Sequence, residues 1–486
     1  MTDISRRKLF GAAGAASLGL AGMVPVASAS ECGKPVKWNE TNEFVIIGTG
    51  FAGLAAALEA HQGGMKSDQI LILEKMSFPG GNSVINGGAV AAAGTDMQKA
   101  EGIKDSPDLL YADIIKAGGG LAHPELARHI ADESVENFYW LRDKIGVKFK
   151  AVTYHGGHSV KRSHAVESNS GAGFILPMLE RLKEVGIKPQ LRTKVEQLIV
   201  NDKGCVEGVK ARTGYTFGKE ESGKVVYIRA TKGVLLATGG FSQNVKMRMS
   251  HDPRLTAAFT STNQPGATGE TIQQAQEIGA NTIQMDWIQL GPMIDPATGK
   301  RFVKETGNRK VRADAIVAIG HPCLIYTSAV NAKANIIGKN MTDELYKHAR
   351  EAGVVKEYPT LKAMADDLKI PFDQLKKTND DFNSYMKAKK DPEFDCMIFD
   401  NAVPNEEGPF LAVRLWPRVH HCMGGLEINN KAEVLSCRGE PIKGLYAAGE
   451  VTGGVHGMVR LGTVAVADCM IFGRTAARTA LAFKGC

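Results

Sequence analysis

Phe44-Val45-Ile46-Ile47-Gly48-Thr49-Gly50-Phe51-Ala52-Gly53 decides the fold of this 486-residue chain. Four apolar residues in a row read as a buried strand, and the Ala/Leu-rich stretch from Leu54 to His61 reads as a helix. Gln69-Ile70-Leu71-Ile72-Leu73-Glu74 reads as a second buried strand, which completes a βαβ unit. Each glycine between strand and helix has a task. Gly48 permits the tight turn, Gly50 lets backbone approach a pyrophosphate, and Gly53 lets helix and strand pack closely. The helix N-terminus offers N–H donors and positive dipole to phosphate. Glu74 stands 21 residues beyond Gly53, where a carboxylate can accept from a ribose 2′-hydroxyl and would repel a 2′-phosphate. Strand, turn, helix and acid together point to a bound dinucleotide.

Working outward, further glycine-rich elements decide which dinucleotide. Pro79-Gly80-Gly81-Asn82-Ser83 and Asn86-Gly87-Gly88 follow soon after Glu74. Val234-Leu235-Leu236-Ala237-Thr238-Gly239-Gly240 is a buried strand running into glycines. Gly444-Leu445-Tyr446-Ala447-Ala448-Gly449-Glu450 is another, ending in Gly-Glu, a pattern typical of FAD proteins, in which the acid binds the ribityl chain. Separated loops of this kind favour FAD over NAD.

Bulk properties exclude other classes. A 43% hydrophobic, 23% charged chain of this length suits two domains, one of them split by an insertion. The net charge of +7 is scattered with no polybasic run, which argues against nucleic acid and suits an anionic substrate. Ser5-Arg6-Arg7-Lys8-Leu9-Phe10, a weakly apolar stretch from Gly11 to Val24 and Ala27-Ser28-Ala29 read as a twin-arginine export signal over residues 1–29. Its apolar stretch is short for a bilayer span, and no other segment reads as transmembrane. The eight cysteines contain no Cys-x-x-Cys and no Cys-x-x-Cys-His, so neither a zinc ribbon nor an attached c-type haem is expected. No metal ligand set is expected either. An oxidising compartment would permit disulfides, but spacing alone cannot pair them. Residues 105–147 read as largely helical, and 190–235 as strands and turns. From about Trp287 to Trp416 the pattern turns mixed, with charged helical stretches at Met341–Gly353, Thr360–Asp367 and Phe372–Lys389. The expected architecture is α/β, α+β overall: a Rossmann-like FAD-binding domain over 30–286 and 417–486, with a mobile substrate cap inserted at 287–416.

The C-terminal motifs carry a resemblance. Val419-His420-His421-Cys422-Met423-Gly424-Gly425 and Gly449-Glu450-Val451-Thr452-Gly453-Gly454-Val455-His456-Gly457-Met458-Val459-Arg460-Leu461-Gly462 resemble the soluble fumarate reductase flavoproteins. Ser261–Gly269 and Gly299-Lys300-Arg301-Phe302-Val303 match that family as well. The resemblance implies non-covalent FAD and reduction of a carbon–carbon double bond conjugated to a carboxylate. It implies that Arg460 clamps the carboxylate, that His420 donates to it and that Arg309 delivers the proton. Besides the glycines at 48, 50 and 53 and Glu74, the cofactor contacts it implies are Ala52, Lys75, Gly81, Asn82, Ser83, Gly87, Gly88, Val195, Thr238, Gly239, His421, Gly449, Glu450 and Gly462. Some relatives carry their own haem domain; this chain lacks the motif, so a separate c-type cytochrome is the expected donor.

Departures from the family pattern narrow the substrate. Gln289-Leu290-Gly291-Pro292 lacks the histidine of the family's Gln-x-His-Pro, which would hold a second carboxylate. Only six residues separate Pro292 from Gly299, a shortened stretch, and Thr463 replaces a glycine. A mono-carboxylate enoate, urocanate-like or aryl-substituted, is therefore expected rather than fumarate. The competing readings are a true fumarate reductase, a ketosteroid-type FAD dehydrogenase and a non-catalytic flavin electron carrier.

Overall fold

A computed structural model describes residues 36–286, 288–289, 296–305, 309–338, 341–398 and 400–486, with backbone alone at 288–289 and 309–311. The export signal, the cleavage site and most of Gln289–Pro292 thus lie outside the described residues.

The run that opens the fold becomes the strand Phe44–Ile47, every residue buried. It lies second from the edge of a five-stranded sheet, between Ile70–Leu73 and Val234–Leu236; Pro441–Ala447 and Glu433–Leu435 follow. One rung runs Leu71, Val45, Val234, Leu445. All pairings are parallel except the last, which accounts for the continuous apolar strands: helices and loops cover both faces. The helix Phe51–Gln62 follows the glycine turn, and its alanines let it sit deep in the core. It crosses the C-terminal helix Val464–Ala482 at close range. A β-carbon at Gly473 would lie 2.3 Å from the Ala52 carbonyl oxygen, so only glycine fits that crossing.

A four-stranded sheet of Glu40–Asn42, Lys224–Ala230, Val206–Thr213 and Thr193–Val200 flanks this core. A disulfide joins Cys205, at the mouth of Val206–Thr213, to the terminal Cys486. Sequence spacing could not have paired them. The stretch 105–147 is helical as expected, with helices Pro107–Ala117 and Pro124–Tyr139.

The region 287–416 contains a sheet of its own: Cys323–Ser328, Phe410–Leu415 and Lys356–Tyr358, with Phe410–Leu415 central. The expected charged helices are Asp343–Glu351, Leu361–Leu368 and Phe372–Ala388. Small separate apolar clusters hold it, one around Leu324, Met364, Leu375 and Ala412, another around Ala332, Val355 and Leu411. Arg301 is its polar anchor. Buried between the rings of Phe382 and Phe394, it donates to Glu305 at 2.6 Å and Asp391 at 2.7 Å. Cys396 joins these acids in a potential ligand cluster, whose polar atoms the guanidinium already engages. Among the described residues, no helix is long and apolar enough to cross a membrane.

Candidate active site

A cleft opens where the strands of the five-stranded sheet end. Such an edge is where open α/β sheets bind ligands. Gly48, Gly50, Ala52, Glu74, Lys75, Gly81, Asn82, Ser83, Val195, Thr238, Gly239, Gly449 and Glu450 all line it. Gly48 adopts φ +110°, and a β-carbon there would meet the Ala237 carbonyl oxygen at 2.3 Å. The turn is thus closed to any other residue, as its reading requires. Gly50 precedes the first helix without a side-chain cap, leaving the helix N-terminus to face the cleft.

Other expected contacts lie off this cleft. Gly53 packs under Gly48, as its reading predicts. Gly88 sits against the Ser170 backbone, Gly87 has open space around it, and Gly462 lies against His155. His421 reaches the cleft through Glu450, its Nδ1 standing 3.3 Å from the Glu450 carboxylate.

Several cleft side chains do more than the sequence indicated. Glu74 accepts from the Thr49 hydroxyl at 2.5 Å and from the amides of Thr49 and Met76 at 3.2 and 2.9 Å. It therefore shapes the turn as well as offering remaining acceptor capacity to a ribose. Lys75 donates to Thr268 at 2.6 Å and to Glu270 at 2.9 Å. Asn82 accepts from the Gln264 amide at 2.7 Å, tying the second glycine loop to the 261–269 segment. Gln264, Thr268, Glu270 and Thr271 line the cleft and were missed as individual contacts, although Gln264 and Thr268 fall in the Ser261–Gly269 match.

Burial shapes the electrostatics at the inner end. It lowers His421 below the ordinary histidine value, opposed by the adjacent Glu450 carboxylate, so the ring is neutral. Burial pushes Glu450 up, but His421, the Cys422 amide at 2.9 Å and the charge of Arg460 outweigh it, leaving an ionised carboxylate. With Nδ1–H directed to Glu450, His421 Nε2 is a buried acceptor with no partner among the described residues. An orphaned acceptor beside a glycine-lined cleft fits a hydroxyl-rich cofactor chain. Burial also raises the thiol of Cys422, which is inert as a nucleophile.

His420, one residue before His421, meets Arg460. An Arg460 guanidinium nitrogen lies 3.2 Å from His420 Nε2, and His420 Nδ1 lies 2.8 Å from the Thr262 hydroxyl. Guanidinium only donates, so Nε2 accepts here and Nδ1–H donates to Thr262. Thr262 can reverse its role, which would free Nε2 to donate to an incoming carboxylate. The sequence reading had His420 as donor; the structure adds the hydroxyl that permits both tautomers.

Arg309 begins the helix Arg309–Ile319, and its side chain lies outside the described residues. That helix packs against the short strand Ile288–Gln289, which pairs antiparallel with His421–Cys422.

Comparison with known proteins agrees with this geometry. Residues 43–466 match the family described as FAD binding domain. The acrylate reductase flavoprotein subunit of Shewanella woodyi is 41% identical over 506 residues, covering 98% of each chain. The urocanate reductase of Eggerthella lenta is 33% identical over 467 residues, covering 90% of this chain and 74% of that one. The open conformation of a flavocytochrome c3 fumarate reductase superposes with a TM-score of 0.72 at 31% identity, covering 91% of this chain and 78% of that one. Cleft, fold and relatives together make this chain a member of the FAD-binding family of flavoprotein reductases, an FAD-dependent oxidoreductase of enoate carbon–carbon double bonds.

Proposed function

We propose that the chain reduces a small mono-carboxylate enoate, of the acrylate class or bearing a urocanate-like or aryl substituent. The observation that carries this reading is the contact between Arg460 and His420, next to the His421–Glu450 pair that borders the FAD cleft. One carboxylate entering between guanidinium and imidazole gains a two-pronged, charge-assisted clamp. Reduced FAD, when bound, supplies the hydride.

The protein's own residues do the rest. Arg460 draws charge onto the carboxylate oxygens, so that negative charge developing next to them is stabilised. His420, steadied by Thr262, donates from Nε2. Arg309 delivers the proton, in keeping with its position in the family pattern. An arginine ordinarily holds its proton far too tightly for this, so the role requires desolvation and a proton supply. Glu450, His421 and the glycines lining the cleft hold the cofactor non-covalently. Residues 287–416 act as a cap that shields the reacting bond from water.

The chain works in the periplasm and takes electrons from a separate c-type cytochrome. The twin-arginine pattern supports export, and the Cys205–Cys486 disulfide suits an oxidising compartment. The chain's lack of a haem motif and its likeness to a flavocytochrome support the donor.

The test is re-oxidation of reduced viologen by purified protein offered acrylate, urocanate, cinnamate and fumarate in turn. A mono-carboxylate is expected to give the highest kcat/KM. Fumarate turning over fastest would contradict the proposal.

A further inference from the structure

We propose that His158 is a positioning residue for the carboxylate clamp: it holds the Gly462 carbonyl and thereby fixes the arm that carries Arg460. This rests on the reading of Arg460 as the clamp.

His158 is far from Arg460 in sequence, yet its Nε2 lies 2.7 Å from the Gly462 carbonyl oxygen. A carbonyl only accepts, so the ring carries its proton on Nε2. The ring is 3% exposed, and its Nδ1 has no partner among the described residues. Burial lowers its pKa to about 4 despite the Gly462 hydrogen bond, so it stays a neutral donor at working pH.

The whole segment 155–163 lies along the arm. A β-carbon on Gly157 would come within 2.9 Å of Leu461, one on Gly462 within 3.2 Å of His155, and the Ser163 hydroxyl meets the Thr463 hydroxyl at 2.8 Å. That segment is itself immobilised. Asp113 accepts from the Ser159 amide and from Arg162, and Arg162 also grips Asp105, all in the interior.

Thr463 gives the second, independent reason. It adopts φ +68°, a left-handed conformation unfavourable for a β-branched residue, where the resembling family has glycine. Its hydroxyl donates at 2.5 Å to the same Gly462 carbonyl that His158 holds. A strained residue persists where its surroundings over-determine it. Here the surroundings grip the peptide two residues beyond Arg460 from both sides. The 3.2 Å approach of Arg460 to His420 depends on that grip, and small misplacements of a clamp are costly.

The test compares wild type, His158→Ala and His158→Gln as FAD-loaded proteins. Bound flavin absorbance checks integrity, calorimetry gives the affinity for propionate, a saturated carboxylate that cannot react, and turnover of the best enoate gives kcat and KM. His158→Ala is expected to weaken propionate and raise KM about tenfold, with kcat moving less. His158→Gln, whose amide can reach the same carbonyl, is expected to recover most of that loss. Should His158→Ala fail to retain flavin, wild-type-like propionate binding by His158→Gln still carries the proposal. Unchanged propionate affinity in flavin-loaded His158→Ala overturns it, as does an equal loss in both variants. A wild type that binds no propionate overturns the clamp reading itself, and this one with it.

Discussion

The cofactor cleft and the region 287–416 are stabilised by different means. The cleft rests on strands whose side chains are wholly buried, such as Phe44, Val45 and Ile46, and on glycines that let backbone touch backbone. The region 287–416 has small apolar clusters and helices dense in charge. Asp343–Glu351 buries no residue, and Phe372–Ala388 carries Lys–Asp pairs one turn apart. One buried arginine holds much of it. A cofactor must be gripped in one geometry, which a dense interior provides. The cap role proposed for 287–416 suits fewer buried contacts, since such elements open at lower cost.

Several perturbations would break or sharpen this contrast. Arg301→Ala should do the most, destabilising the region 287–416 by about 3–5 kcal/mol, because Asp391 would be left charged and buried. Limited proteolysis should then cut within 320–415 while the flavin spectrum persists; simultaneous flavin loss would mean the two regions are not separable. Arg460→Ala should lower kcat/KM for the enoate about 10²–10³-fold without flavin release, measured as steady-state turnover. A loss of bound FAD instead would make Arg460 part of the cofactor cleft.

Cys486→Ser should cost about 2–4 kcal/mol through loss of the cross-link to Cys205. Denaturant unfolding checks this, and the effect should vanish when wild type is measured under reducing conditions. Acidification should also destabilise the fold. Burial lowers both His158 and His164 to about 4, below the ordinary unfolded value of about 6.5. Their contribution is present above that unfolded value and is lost as the pH falls from about 6.5 toward 4, because the unfolded chain takes up protons first. Thermal melts across that window should show flavin-side stability falling with pH. Smallest of all, Lys376→Ala, which breaks an exposed pair with Asp380, should change stability by no more than about 0.5 kcal/mol.

How much could be read beforehand follows the same division. The turn around Gly48 was legible because its cause is local: strand, glycines and helix are adjacent in sequence. The C-terminal strand Pro441–Ala447, running into Gly449-Glu450, was legible for the same reason. Three helices of the region 287–416 were also found to within two residues by their charge and apolar pattern, whereas Arg309–Ile319 and Ala329–Asn335 were not read as helices. Contacts made across long stretches of chain were not legible. His158 reaches Gly462, Cys205 meets Cys486, and Thr262 supports His420 only once the fold is assembled. Arg301 lay in a matching motif, yet nothing in its neighbours marks it as the buried anchor that Asp391 makes it. Gly87 and Gly88 were expected at the cofactor, and neither lines the cleft described here.

The most direct test is a crystal structure of the FAD-loaded protein with propionate. The account predicts one carboxylate lodged between the Arg460 guanidinium and His420 Nε2, with the two side chains parted to receive it. Propionate bound elsewhere, with Arg460 and His420 still in mutual contact, would contradict it.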